Sequence, residues 1–217
     1  MGRLYDATWG RGFSALYDRG LKATEEAGLR EMRCQVLAGA SGPTIDIGAG
    51  TGVNIELFPP PVTELVLAEP DPHMAAKLRP KLRASNVEAE LIEAPAERLP
   101  FEPASFDTAV FTLVLCTVPD PAAALAEAAR ILRPGGKLLF VEHVRAEEPG
   151  LARWQDRLEK PWRFLADGCH CNRDTVGLIE DSPFELGAVE RGRLPKAPPI
   201  VRPLAWGSAT RDARAGD

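Results

Sequence analysis

Asp46-Ile47-Gly48-Ala49-Gly50-Thr51-Gly52 is the stretch on which the reading of this chain turns. The short strand Thr44-Ile45-Asp46-Ile47 runs into three glycines. Glycine lets the backbone turn sharply and lets a ligand approach without a Cβ in the way. A helix after such a turn would offer free N–H groups and a positive dipole end to an anion. The spacing is Gly-x-Gly-x-Gly, not the Gly-x-Gly-x-x-Gly of dinucleotide turns, and suits a ligand carrying a carboxylate. Asp46, just before the glycines, can accept hydrogen bonds from a ligand or from loop amides.

Outward from this turn, strands and helices alternate. Residues 64–68, 87–92, 108–114 and 137–142 read as further strands, the fourth strand (108–114) apolar on both faces. Residues 120–133 form the clearest helix. Asp120 can cap it, Pro121 suits its first position, and Pro134-Gly135-Gly136 stops it. Residues 1–30 also carry a helical pattern, with Trp9, Phe13, Leu16, Tyr17 and Leu21 at roughly helical spacing. Alternation of this kind implies an α/β, doubly wound, mostly parallel sheet in three layers. Glu69 ends the second strand, where such a fold brings an acid to a ribose.

The bulk numbers narrow the partners. The 217 residues suit one domain with a sizeable core. A net charge of −5 leaves no electrostatic footprint for nucleic acid or an anionic membrane, and points to a small-molecule acceptor. The N-terminus has no apolar signal region, and no run of about 18 apolar residues would span a membrane. Four scattered cysteines, Cys34, Cys116, Cys169 and Cys171, read as cytoplasmic usage.

Five stretches, in order, resemble the class I S-adenosylmethionine-dependent methyltransferases. They are the Asp46–Gly52 turn, Glu69-Pro70-Asp71, Ala96-Glu97-Arg98-Leu99-Pro100-Phe101, Ser105-Phe106-Asp107 and Leu132-Arg133-Pro134-Gly135-Gly136. The resemblance implies S-adenosylmethionine as cofactor, S-adenosylhomocysteine as product and no metal. It implies a seven-stranded sheet, with last strands near 184–194 and 204–210. Residues 1–40 would form a helical lid, 44–142 the cofactor core, and 143–217 the acceptor side of a single 1–217 domain. Asp46, Gly48, Ala49, Gly50 and Gly52 would surround the methionyl end with Thr112 and Leu113. Glu69 and Pro70 would meet the ribose, and Ala96 and Glu97 the adenine. Pro95 stands where the family often has Asp, which removes one contact to the adenine amino group.

A narrower resemblance, to alkyl-thiol methyltransferases, rests on Cys116-Thr117-Val118-Pro119-Asp120, Glu142-His143-Val144, Trp154-Gln155, Pro161-Trp162, Asp167-Gly168-Cys169 and Asn172-Arg173-Asp174-Thr175. Those relatives carry an N-terminal hydrophobic anchor that this chain lacks, so the resemblance implies a soluble form. The tail also resembles bacterial phospholipid and quinone methyltransferases, which keeps O-, N- and C-methylation open beside sulfur. A nicotinamide oxidoreductase is disfavoured by the glycine spacing, and a non-catalytic cofactor binder would release no S-adenosylhomocysteine.

Methyl transfer from a sulfonium needs alignment and exclusion of water more than acid–base chemistry. A thiol or alcohol must still lose a proton. His143 and Glu142, at the end of the fifth strand, are the candidate bases. Tyr17 and Phe13 on the N-terminal helix, with Cys116, Trp154 and Trp162, are candidates to contact the acceptor. Cys169-His170-Cys171 is not expected to bind zinc. Neighbouring residues on an extended chain point in alternating directions, and a closed site needs a fourth ligand.

Overall fold

The computed structural model describes residues 22–212, so Tyr17, Phe13 and Trp9 lie outside the described residues. Seven strands form one sheet in the order β3-β2-β1-β4-β5-β7-β6. They are β1 Gly42–Ile47, β2 Val62–Ala68, β3 Glu90–Ile92, β4 Phe106–Thr112, β5 Leu132–His143, β6 Phe184–Arg193 and β7 Pro203–Arg211. The first five run parallel, whereas β7 is antiparallel to both β5 and β6. Helices α1 Arg30–Leu37, α2 Pro72–Ala84, α3 Pro121–Ile131, α4 Pro149–Leu165 and α5 Thr175–Glu180 cover the faces.

The strands alternate between two cores. Ala109 and Phe111 of β4, with Leu138 and Phe140 of β5, pack against Leu125 and Ala128 of α3. Val110, Leu139 and Val141 face the other way, against Val36 and Leu37 of α1 and Ile200, Val201 and Leu204. Burial on both faces is why these strands read as continuous apolar runs.

Several elements differ in extent from their sequence pattern. The helix expected over 120–133 stops at Ile131, and Leu132 already pairs with Phe106 in the sheet. The next ladder pair is Thr108 with Lys137, so Arg133–Gly136 bulge out, with Gly135 at φ 78°. The strand expected over 87–92 is cut to three residues.

The glycine turn brings a correction. No α-helix follows it. Residues 51–54 form turns, and Ile55–Leu57 a single 3-10 turn. Only six residues separate Gly52 from Pro59-Pro60-Pro61. That is too short for a helix to nucleate, and the prolines supply no N–H to continue one. A ligand at this turn would meet glycine amides, without a helix dipole behind them.

The sheet order reverses between β1 and β4, which makes their carboxyl ends the crevice where open α/β sheets bind ligands. Asp46 with the glycine turn, Glu69, Thr112 and Leu113, and Glu142 and His143 all sit at carboxyl ends of strands on either side of that point.

Candidate active site

Backbone bonds fix the glycine turn to the neighbouring strand. Gly48 and Ala49 both donate to the carbonyl of Ala68, at 2.8 and 3.0 Å. Gly48 has φ 74°, and a Cβ there would fall 2.5 Å from a methyl of Val114. Gly50 has φ 58°, but a Cβ there would meet nothing nearer than the Gly48 carbonyl oxygen at 4.0 Å. The first glycine is required by packing and conformation. The second borders open space, as a cradle for a ligand must.

Glu69 accepts from Gly50 N at 2.7 Å on one oxygen and from Asp71 N at 2.8 Å on the other. Burial raises its pKa; the two amide bonds oppose that, and the charges of Asp71 and Asp167 add to it. Each carboxylate oxygen keeps a further lone pair, so both ribose hydroxyls can still be received. Asp71 caps α2 by accepting from His73 N and Met74 N, and Pro70 joins Glu69 to that cap.

Asp46 is fully buried. Its carboxylate accepts from Asn54 Nδ2 at 3.2 and 3.0 Å. The same Nδ2 donates to Thr112 Oγ1 at 3.0 Å, and Arg33 donates to Asn54 Oδ1 at 3.1 Å. Arg33, only 1% exposed, also donates to Glu25 at 3.1 Å. Burial pushes Asp46 up to about 7, against the pull of Asn54 and Arg33; Glu69 adds to the rise. Neither Asn54 nor Arg33 is marked by sequence pattern, and Arg33 has the look of an ordinary helix-surface charge.

In the loop over residues 96–101 Ala96 is buried, and Glu97 accepts from Asp120 N at 3.3 Å. The loop is pinned from α3. Glu127 accepts from Leu99 N at 2.6 Å, while Arg130 donates to the carbonyls of Phe101 and Leu99. Glu127 and Arg130 stand three residues apart on the helix, and that spacing was the one signal for them. A cavity of about 530 Å³ lies along this loop, lined by Pro95, Arg98 and Phe101 among others.

At the end of β4 the chain turns at Leu113, whose φ of 61° is a conformation few side chains adopt. Glu142 explains why it holds. This carboxylate is fully buried and accepts from Val114 N at 2.8 Å, Leu115 N at 2.9 Å and Cys116 N at 3.2 Å. Both of its oxygens serve the loop, so Glu142 positions the turn and is not a free base. Burial raises its pKa despite the three amides.

His143 follows on β5. Its Nδ1 lies 3.6 Å from Cys116 Sγ and 3.6 Å from Cys169 Sγ. Among the described residues its Nε2 is buried without a hydrogen-bond partner. The neighbouring Cys169 sulfur, and after it burial, raises the Cys116 pKa well above the usual thiol range. Cys116 therefore stays a thiol that can donate to Nδ1, and a ring that accepts there carries its proton on Nε2. Burial lowers the His143 pKa, but the contact with Cys116 and the charge of Glu142 outweigh it and raise it. The sequence reading made His143 a proton acceptor; this arrangement makes Nε2 a donor.

Trp154 and Trp162 are not drawn into this cluster. Trp154 is 54% exposed on α4, with Arg157 5.7 Å from its ring centroid. Trp162 packs on the core that holds Val36 and Ile200. Its helix neighbour Gln155 is fully buried and clamps three segments together, donating to the carbonyls of Val144, Cys171 and Ile200 and accepting from Ala146 N. Cys169, His170 and Cys171 diverge: His170 pairs with Glu159 at 3.0 Å, and Cys171 Sγ lies 3.8 Å from the carbonyl of Gln155.

The sheet order, the glycine turn on β1 and the acid on β2 define a nucleoside-binding α/β enzyme site, and the comparisons say which. A family model described as a methyltransferase domain matches residues 45–140. The thiol S-methyltransferase TMT1B of Homo sapiens is 36% identical over 190 residues, covering 83% of this chain and 74% of its own. The thiol S-methyltransferase TMT1A of Homo sapiens is 32% identical, covering 82% and 75%. A solved S-adenosylmethionine-dependent methyltransferase from Thermotoga maritima, titled a possible histamine N-methyltransferase, superposes with a TM-score of 0.67 at 25% identity over 93% of this chain and 98% of its own. This chain belongs to the class I S-adenosylmethionine-dependent methyltransferases. No helix among the described residues is long and apolar enough to cross a membrane.

Proposed function

We propose that the chain methylates the sulfur of a small, fairly apolar thiol. The observation that carries the choice of sulfur is the engagement of Glu142. The carboxylate at the carboxyl end of β5 is bound to three amides, and the adjacent imidazole presents a donor. An alcohol or amine would need a base in place. A thiol of pKa about 8.5 is a few per cent thiolate near neutrality and needs only to be held. The identity with two thiol S-methyltransferases over four-fifths of the chain supports the same reading.

The cofactor, when bound, supplies an electrophilic methyl on a sulfonium and leaves as a neutral thioether. The residues present fit it. The open cradle at Gly50 would take the methionyl end and Glu69 would receive the ribose, while buried Asp46 would brace the turn through Asn54. Ala96 and Glu97 would border the base, and Thr112 and Leu113 the methionyl chain. The acceptor loses its proton to solvent before attack. His143 Nε2 then donates to the thiolate and fixes its direction, while the Leu113–Cys116 loop excludes water.

A screen of thiols, phenols, amines and quinols, read as S-adenosylhomocysteine release, tests this. Thiols should turn over and their matched phenols should not; a phenol or quinol faster than its thiol counterpart overturns the assignment. His143→Ala should slow turnover of the active thiol while cofactor affinity is retained, and wild-type rates would remove His143 from the acceptor site.

A further inference from the structure

Cys116, His143 and Cys169 come from three separate elements: the loop after β4, the end of β5 and the segment after α4. The two sulfurs are 3.9 Å apart, and each lies 3.6 Å from His143 Nδ1. We propose that these three residues form a binding site for a thiophilic d10 cation of the zinc class.

The triangle has the dimensions such an ion requires. Bonds of about 2.3 Å to sulfur and about 2.0–2.1 Å to nitrogen, at tetrahedral to trigonal angles, put the sulfurs about 3.8–4.0 Å apart. The same bonds put sulfur and nitrogen about 3.5–3.8 Å apart. All three observed separations meet these values without movement of the chain. A disulfide would need the sulfurs to close to about 2.05 Å. Two thiolates and one imidazole are the donor set that selects zinc-class ions over magnesium or calcium.

The backbone holds the donors in place before any ion arrives. Glu142 accepts from Cys116 N, and the Cys116 carbonyl accepts from His170 N at 2.7 Å. Thr175 donates to the His143 carbonyl at 3.0 Å, and Cys169 N donates to Ala166 at 3.1 Å. Arg173 donates to the carbonyls of Leu115 and Val118 and sits within the electrostatic reach of both cysteines, which tempers the charge of two thiolates. The two cysteines are buried, while His143 is only partly buried. Coordination through Nδ1 also fixes the ring proton on Nε2, the buried nitrogen that lacks a partner among the described residues. Three protein donors leave a fourth position for one small exogenous ligand. This site is distinct from the Cys169-His170-Cys171 run, of which it takes only the first member.

The untagged, reduced full chain should be titrated with Co2+, then with Zn2+ against a chromophoric chelator. The expected result is one equivalent of Co2+ per chain with a thiolate-to-cobalt charge-transfer band, displaced by Zn2+. Cys116→Ser and Cys169→Ser should each weaken Zn2+ binding on the order of a hundredfold or more, with circular dichroism and cofactor binding showing that they fold. Cys34→Ser and Cys171→Ser should bind as the parent does. Absence of saturable binding, equal binding by the Cys116→Ser and Cys169→Ser variants, or dependence on Cys171 instead would overturn the site. None of these readouts depends on which acceptor is methylated.

Discussion

Replacing Asp46 by asparagine should remove a pH-dependent destabilisation of the fold. Burial raises this carboxyl from 3.8 to about 7, so the folded chain holds a proton that the unfolded chain has lost. A raised acid contributes its full stability below the unfolded pKa and loses it as pH rises through the folded one. Relative to a neutral side chain, the cost is about 2 kcal/mol at pH 5 and about 4 kcal/mol at pH 8, at about 1.36 kcal/mol per pKa unit. The asparagine keeps one acceptor for Asn54, so the bond at 3.0–3.2 Å is retained in kind. Denaturant unfolding of wild type and Asp46→Asn at pH 5, 6, 7 and 8, without cofactor, measures the difference. The two curves should diverge by about 2–3 kcal/mol across that range, with the variant the more stable at pH 8. Parallel curves would show that the carboxylate is ionised in the fold throughout and that burial does not govern it.

Two further substitutions probe the cofactor turn. Glu69→Ala should weaken S-adenosylmethionine about tenfold or more, or about 1.4 kcal/mol, because Gly50 and Asp71 lose their acceptor along with the ribose; an unchanged calorimetric affinity removes the ribose assignment. Gly48→Ala and Gly50→Ala should separate packing from binding. The former should cost about 2–4 kcal/mol of stability from left-handed strain plus the Val114 overlap, the latter about 1–2 kcal/mol with a larger loss of cofactor affinity. Equal melting temperatures for the two variants would contradict that division.

The strands were legible because their apolar runs are buried on both faces, and the glycine turn because positive φ leaves few alternatives to glycine. Glu69 was legible through its distance from Asp46, which the parallel β1–β2 register converts into proximity. The rest depended on contacts that local pattern does not encode. Asn54 carries no periodic signal, yet it joins Asp46, Thr112 and Arg33. Glu142 resembles a catalytic acid until the three amides facing it are seen. Cys116 and Cys169 are 53 residues apart and meet only because α4 returns the chain to the end of β5. The helix expected after Gly52 failed for a local reason, the Pro59-Pro60-Pro61 run.

Arg33 ties the start of the described chain to the centre of the site. Its guanidinium, nearly sealed from water, bridges Glu25 before the kink at Gly28 and Asn54 beyond the glycine turn. A polar rod of this kind transmits displacement instead of absorbing it, because letting go at either end strands a buried charge. The helical segment over residues 25–37 and the floor of the glycine turn are therefore joined through one buried charge. Whatever holds that segment against the sheet also sets the shape of the space into which the methyl donor fits.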